Sequence, residues 1–438
     1  REVVRAMMLA RANTLAKGYS GIRLPVVEAL VTMLNEGVHP VIRSIGSLGA
    51  SGDLAPLAHM ALVLIGEGQA HVVEDPPASG GADRLPGDDA LATAGLDPLT
   101  LQAKEGLALI NGTQLTVGIG ALVVVDAERT LRAADAAGAL TTEVTMGTTA
   151  SSDPAIHDVR PHDGQAASAR NVRRLTADSG IVESHRNCDR IQDAYSIRCL
   201  PQVHGAVRDA IEHLRDAVDV ELNSATDNPL VFPADDVDDR ASGTDVGAVL
   251  SGGNFHGAPL AHRLDYAVAA LTDLASICER RVDRLLNPHV QEPHLEPFLA
   301  DQGGLESGYM IAQYTAAALV NDLRSTARAG TDSTPVSGNQ EDHVSMSANA
   351  ALETRDAAES TARVVAIELL SATRALEFVD EDLDPGAATG AVANAVQSAM
   401  PTEAGDRPLH GPIDDATAMV LGGLIEERAN AALGSEIE

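Results

Sequence analysis

The stretch Gly49-Ala50-Ser51-Gly52-Asp53-Leu54 sets one serine among three residues with minimal side chains. Such a stretch is first of all a tight turn or a flexible loop. It also permits a reaction of the chain with itself. Glycine at position 52 removes the steric barrier of a Cβ, so its amide nitrogen can approach the Ala50 carbonyl carbon closely enough to attack it. Cyclisation and two dehydrations then convert Ser51 to a dehydroalanine within an imidazolone ring, an electrophile stronger than any standard side chain. Asp53, just before an apolar run, is suited to a helix N-cap.

The longer segment Gly46-Ser47-Leu48-Gly49-Ala50-Ser51-Gly52-Asp53-Leu54-Ala55-Pro56-Leu57-Ala58 resembles the signature of the aromatic amino acid ammonia-lyases. In that family an internal Ala-Ser-Gly forms the prosthetic group 4-methylideneimidazol-5-one (MIO). The resemblance continues, in family order over about residues 1 to 350, through Asn111-Gly112-Thr113-Gln114, Gln192-Asp193-Ala194-Tyr195-Ser196-Ile197-Arg198-Cys199 and Thr226-Asp227-Asn228-Pro229. It closes with Gly253-Asn254-Phe255-His256-Gly257 and Asn339-Gln340-Glu341-Asp342-His343-Val344-Ser345-Met346. The implied fold is all-α, a long-helix bundle of the aromatic ammonia-lyase and fumarase-like type. The serine loop of the fumarase and argininosuccinate-lyase group has no match here.

The resemblance implies an MIO built from Ala50, Ser51 and Gly52, with Asp53 assisting its formation and no metal or diffusible cofactor. The substrate amine adds to the carbon derived from Ser51 and so becomes a good leaving group. Arg198 can pair bidentately with a substrate carboxylate, although most arginines serve surface ion pairs. Tyr195 offers a phenol to the ring or to developing charge, or else packs in the core. The amides of Asn111 and Gln192 suit the ring oxygen, the carboxylate or one another, and equally suit helix caps. Phe255 packs beside the ring and excludes water, or serves an ordinary core. His256 and His343 stay outside the catalytic set, because a lone histidine is more often structural.

The substrate expectation rests on the blocks around Tyr195 and Glu341. Phenylalanine lyases of the family generally carry a neutral side chain where Glu341 stands, and a carboxylate suits an imidazole that must be oriented and partly protonated. The expected reaction is L-histidine to trans-urocanate and ammonia, the first step of histidine degradation. The competing readings are a phenylalanine or tyrosine ammonia-lyase, an aminomutase that re-adds the amine, and a non-catalytic helical scaffold in which the loop never cyclises. The family's base tyrosine and a substrate-contacting histidine lie upstream of the MIO signature. Tyr19 and His39 match neither motif and the chain opens at Arg1 without an initiator Met, so an N-terminal truncation is expected.

Long helices must position these groups. Leu260, Leu264, Ala267, Leu271, Leu274, Cys278, Val282 and Leu285 recur at three- and four-residue steps and predict a helix from about 259 to 286, stopped by Asn287-Pro288. Similar patterns cover about 305 to 329 and 346 to 379. Residues 1 to 45 read as short helices broken at Gly18, Gly21 and Pro25, Asp97-Pro98 as a helix start, and 74 to 90 as a surface loop. The expected regions are an MIO-bearing 1–95, a central bundle 96–345 and a helical 346–438, all one continuous unit.

Composition narrows the remainder. The 438 residues carry 31 Lys+Arg against 63 Asp+Glu, a formal charge of −32, which argues against nucleic acid and anionic lipid as partners. Asp outnumbers Glu 37 to 26 and lysine is confined to Lys17 and Lys104, the balance of a protein from a molar-salt cytoplasm. Cys188, Cys199 and Cys278 are too few and scattered for a disulfide framework or a zinc site. Nine aromatic residues and Ala-rich faces favour close helix packing, and apolar helices needing partners, together with the family likeness, point to a homotetramer.

Overall fold

The computed structural model describes residues 1–73, 83–186, 188, 190–238, 242–400 and 405–438. They form two compact units. The first comprises Arg1–Val123, His213–Asp265 and Ala327–Arg355; the second comprises Val124–Glu212, Tyr266–Thr326 and Asp356–Glu438. Four long helices, Gln114–Val144, Leu200–Leu222, Ala258–Leu286 and Ser347–Leu376, contribute residues to both.

The all-α expectation describes the bulk of the chain, and the apolar spacing explains why. All eight residues of the stripe from Leu260 to Leu285 are buried in the Ala258–Leu286 helix. The 305–329 and 346–379 patterns become Met310–Ser325 and Ser347–Leu376. In the second unit, Ala133, Ala134, Ala136, Ala137 and Ala139 are fully buried along Gln114–Val144. Alanine combines high helix propensity with a side chain small enough for neighbouring helices to approach closely.

Several local expectations are corrected. Pro25 does not break a helix; it occupies the first turn of Leu24–Asn35, where its missing N–H costs nothing. Asp97-Pro98 starts no helix. That segment is irregular, with the Leu99 N–H donating to the Leu64 carbonyl at 2.8 Å, and the next helix begins at Glu105 after left-handed Lys104. Of the 74–90 surface loop, 74–82 lies outside the described residues, while Asp83–Pro86 is a strand and Gly87–Thr93 a helix.

The first unit also holds two small antiparallel sheets that the helical pattern did not announce. One orders Val38–Pro40, Gln69–Val72 and Asp83–Pro86; the other orders Leu230–Pro233, Gly247–Leu250 and Ser242–Gly243. Strands this short lack the period-2 signal that would separate them from turns. Tyr19 packs its ring against Phe232 of the second sheet at 5.4 Å, and its carbonyl accepts from the Val231 N–H at 2.8 Å.

Candidate active site

The first unit carries the Gly49–Asp53 turn, and its backbone is crowded. Gly49, Ser51 and Gly52 have φ of +82°, +51° and +83°. For Ser51 this left-handed conformation costs about 1–2 kcal/mol. A Cβ at Gly49 would stand 2.2 Å from Ser345 Oγ, and one at Gly52 would stand 2.1 Å from the Gly112 carbonyl oxygen. Both glycines are therefore required by contact as well as by φ.

Hydrogen bonds hold the turn against two neighbouring segments. Asp53 N–H donates to the Gly112 carbonyl at 2.6 Å, and Gly112 N–H donates to the Ser51 carbonyl at 3.2 Å. Met346 N–H donates to the Leu48 carbonyl at 2.9 Å. Within the turn, Gly52 N–H reaches the Gly49 carbonyl at 3.1 Å, and Ser47 Oγ donates to the Gly52 carbonyl at 3.2 Å.

Asp53 is fully buried at the start of the Leu54–Leu64 helix, but its carboxylate does not cap that helix. It accepts instead from Thr116 N–H at 2.8 Å and Thr116 Oγ at 2.9 Å, in the first turn of Gln114–Val144. Burial pushes its carboxyl up to about 6, against the pull of the Thr116 hydrogen bonds and of the Arg11 charge. Asn111 is buried beside the turn; its carbonyl accepts from Arg11 Nη2 at 2.6 Å, and its Oδ1 has no hydrogen-bond partner.

Phe255 and Glu341 lie in the same unit, Phe255 half-buried and Glu341 with a buried, unpartnered Oε2. Their segments meet through His256 and His343, whose rings stack at 5.8 Å while His256 Nε2 lies 3.3 Å from the His343 carbonyl. His39 is buried with its Nε2 accepting from Arg5 at 2.9 Å; desolvation, with the Arg5 charge next, pushes its imidazole down to about 4.

Gln192, Tyr195 and Arg198 belong to the second unit. The Arg198 guanidinium sits 4.7 Å above the centre of the exposed Tyr195 ring. An open pocket of about 420 Å³ is lined by Gln192 and Arg198 together with Thr148, Ile156, Asp193 and Gln202. The Ser196 carbonyl accepts from Arg281 Nη1 at 3.2 Å. Arg281 is fully buried and pairs with Glu368 at 2.5 and 2.9 Å.

Four of the groups that frame these sites were not singled out in the sequence. Thr116, Ser345 and Ser347 are ordinary hydroxyls inside or beside the matched blocks, and nothing in one sequence marks them. Arg11 gave a weak signal, a cation among Met7, Met8, Ala10, Ala12 and Leu15; burial pushes its guanidinium down to about 10.

The aromatic amino acid lyase profile matches residues 1–398. The chain belongs to the aromatic amino acid lyase family. Over 434 residues the lyase is 63% identical to a probable histidine ammonia-lyase of Halobacterium salinarum, covering 99% of this chain and 81% of that one. The crystal structure of histidine ammonia-lyase from Trypanosoma cruzi superposes with a TM-score of 0.87 at 38% identity, over 98% of this chain and 78% of the other. A tyrosine aminomutase from Streptomyces globisporus gives the same TM-score of 0.87 and 38% identity, over 98% and 81%.

The buried Asp53 makes the lyase's stability depend on pH in a defined direction. Folded, the carboxyl keeps its proton to about pH 6; unfolded, it loses it near its ordinary value of 3.8. The stability tied to this residue is therefore complete below about pH 4 and is lost as pH rises to 6, a change of about 3 kcal/mol. Asp53→Asn removes this dependence. Denaturant unfolding in molar salt should show the variant gaining on the parent protein from pH 4 to pH 7; a constant difference would show that Asp53 ionises normally.

Proposed function

We propose that this carbon–nitrogen lyase eliminates ammonia from L-histidine to give trans-urocanate, using an MIO group formed from its own Ala50-Ser51-Gly52. The compressed turn is the observation that carries the reading. Its left-handed Ser51 and Gly52, packed where Gly112 leaves no room for a Cβ, suit a tripeptide that closes on itself. The buried, unpartnered Oδ1 of Asn111 beside this turn offers a hydrogen-bonding group to such a ring.

MIO supplies an electrophilic carbon able to activate an amine as a leaving group, in keeping with its use across the family. The chain's own residues supply binding and proton control. Arg198 holds the substrate carboxylate through its planar fork, fixing the reacting carbons. Gln192, beside it on the same pocket, adds an amide donor or acceptor. Tyr195 presents its phenol to developing charge. Phe255 shields the reacting carbons from water. Asp53 serves ring formation.

Glu341 selects the substrate. A buried carboxylate oxygen with no protein donor is costly, and an imidazole N–H would satisfy it. A phenyl ring offers no hydrogen-bond donor there. The histidine ammonia-lyase relatives support this choice over a phenylalanine or tyrosine lyase, and over the aminomutase reaction.

The active assembly we propose is a homotetramer in a high-salt cytoplasm. No helix among the described residues is long and apolar enough to cross a membrane. At −32 formal charges, subunits repel one another unless salt shortens the screening distance to about 3 Å, as at 1 M. Light scattering should find a tetramer in molar salt and dissociation in dilute buffer; a monomer in both would exclude the assembly.

Ser51→Ala should keep the helical fold yet abolish elimination, and its intact mass should lack the loss of two waters. With no tryptophan in the chain, the ring's near-ultraviolet absorbance should vanish visibly in the same sample. Undiminished urocanate formation by this variant would refute the reading. Glu341→Gln should slow histidine turnover far more than it lowers stability, by about 10² in kcat/KM. Equal losses on histidine and phenylalanine would mean that Glu341 is structural.

A further inference from the structure

A string of buried hydroxyls runs from Ser345, packed against Gly49, to the Asp53 carboxylate. Thr116 Oγ donates to Asp53 Oδ1 at 2.9 Å and lies 3.1 Å from Ser347 Oγ. Ser345 Oγ donates to Ser347 Oγ at 3.1 Å. Ser345 Oγ in turn sits against Gly49, occupying the place that a Cβ there would need. Thr116, Ser345 and Ser347 are buried, all three in the first unit. A hydroxyl has one hydrogen, so with Thr116 pointing to the carboxylate, the Ser347 hydrogen is free for Thr116 and the Ser345 hydrogen goes to Ser347. All the links then run in one direction, from Ser345 to Asp53.

The packing around Ser347 is equally specific. A Cβ at Gly257 would stand 2.2 Å from Ser347 Oγ, so Gly257 leaves the hydroxyl just enough space. Ser347 N–H donates back to Ser345 Oγ at 3.3 Å, which fixes the two serines relative to each other.

We propose that Thr116 and Ser347, with Ser345 at the far end, form a proton relay for ring closure, an inference that rests on the MIO reading above. Closure makes the bond from Gly52 N to the Ala50 carbonyl carbon. The Ala50 oxygen leaves as water with the amide hydrogens of Gly52 and Ser51. The Ser51 hydroxyl leaves as a second water with the Ser51 Cα hydrogen. Atoms balance, and neither oxidant nor reductant is needed. The protons, however, leave nitrogen and carbon within 51–52 and must reach oxygens of residues 50 and 51. Asp53 stands on one side of the tripeptide and Ser345, against Gly49, on the other. A concerted shift along the hydroxyls carries a proton between those sides without admitting bulk water.

The measurement is the rate at which freshly synthesised chains lose two waters, followed by intact mass and by near-ultraviolet absorbance in molar salt, with the folded fraction checked by circular dichroism. Thr116→Val keeps shape and backbone N–H but removes the hydroxyl; Ser347→Ala breaks the next link. Both should mature about 10²-fold more slowly than the parent chain while folded. Thr116→Ser should restore the parental rate, which a purely structural role for the threonine methyl would not predict. If Thr116→Val fails to fold, Ser347→Ala decides. Parental maturation rates in either folded variant would overturn the relay. A parent chain that keeps its unprocessed mass would instead overturn the MIO reading beneath it.

Discussion

The site depends on the absence of side-chain volume at three points. Gly49, Gly52 and Gly257 each leave space that is filled by a polar atom from another segment: Ser345 Oγ, the Gly112 carbonyl and Ser347 Oγ. Any Cβ there would fall within about 2.2 Å of that atom, far inside contact distance. In this crowded turn Ser51 is left-handed and the Asp53 carboxylate is fully buried. Those are costs of about 1–2 kcal/mol for the backbone and about 3 kcal/mol for the Asp53 charge at neutral pH, the latter remaining after the hydrogen bonds from Thr116. A turn of this kind is kept only where the surrounding helices over-determine it.

The second unit answers a different demand, which is to hold Tyr195 and Arg198 on a single short helical turn with Tyr195 exposed and Ile197 buried. Asp135 is fully buried and accepts from His204 Nδ1 at 2.7 Å, Asn171 at 2.8 Å and Arg208 at 2.9 Å. Burial would raise its carboxyl, but these partners hold it below the usual range. Burial lowers the His204 imidazole, so the ring stays neutral, with Nε2 3.3 Å from Arg281. Arg281 spends its donors on Glu368, Ser196 and Cys278 as well. Removing one member of a buried pair such as Arg281–Glu368 costs about 3–5 kcal/mol. The Tyr195–Arg198 turn is thus anchored through its Ser196 carbonyl to a network that cannot be loosened cheaply.

Much of this was legible in the sequence because it is periodic or contiguous. The stripe from Leu260 to Leu285 defined a helix to within a residue of its ends, and the Gly-Ala-Ser-Gly run announced a turn without side chains. The errors came where a distant contact overrides a local signal. Asp97-Pro98 has the right residues for a helix start, but the Leu64 carbonyl claims the Leu99 N–H first. Asp53 has the position of an N-cap, yet Thr116 takes its carboxylate. The relay hydroxyls were invisible for the same reason: Thr116 and Ser347 are 231 positions apart, and nothing about a serine states which carboxylate it will serve. Both small sheets escaped because strands of two to four residues carry too little alternation to read.

Among the described residues three arginines, Arg11, Arg281 and Arg374, are buried. Molar salt screens the repulsion among 32 net negative charges over a few ångströms, but screening has no bearing on which cation is buried. Inside the protein the reason is geometric. Arg281, wholly buried, reaches a carboxylate, a backbone carbonyl, an imidazole and a thiol from one planar fork. An ammonium has three donors at a single point and could not span these partners. Arg11, also wholly buried, places its charge under the Asn111 carbonyl, where Asp53 and Asp227 both feel it. Screening by salt reaches such buried pairs far less than it reaches the surface. The net charge and the few buried arginines therefore respond to different variables, the first to the ionic strength of the medium and the second to the packing of the helices around them.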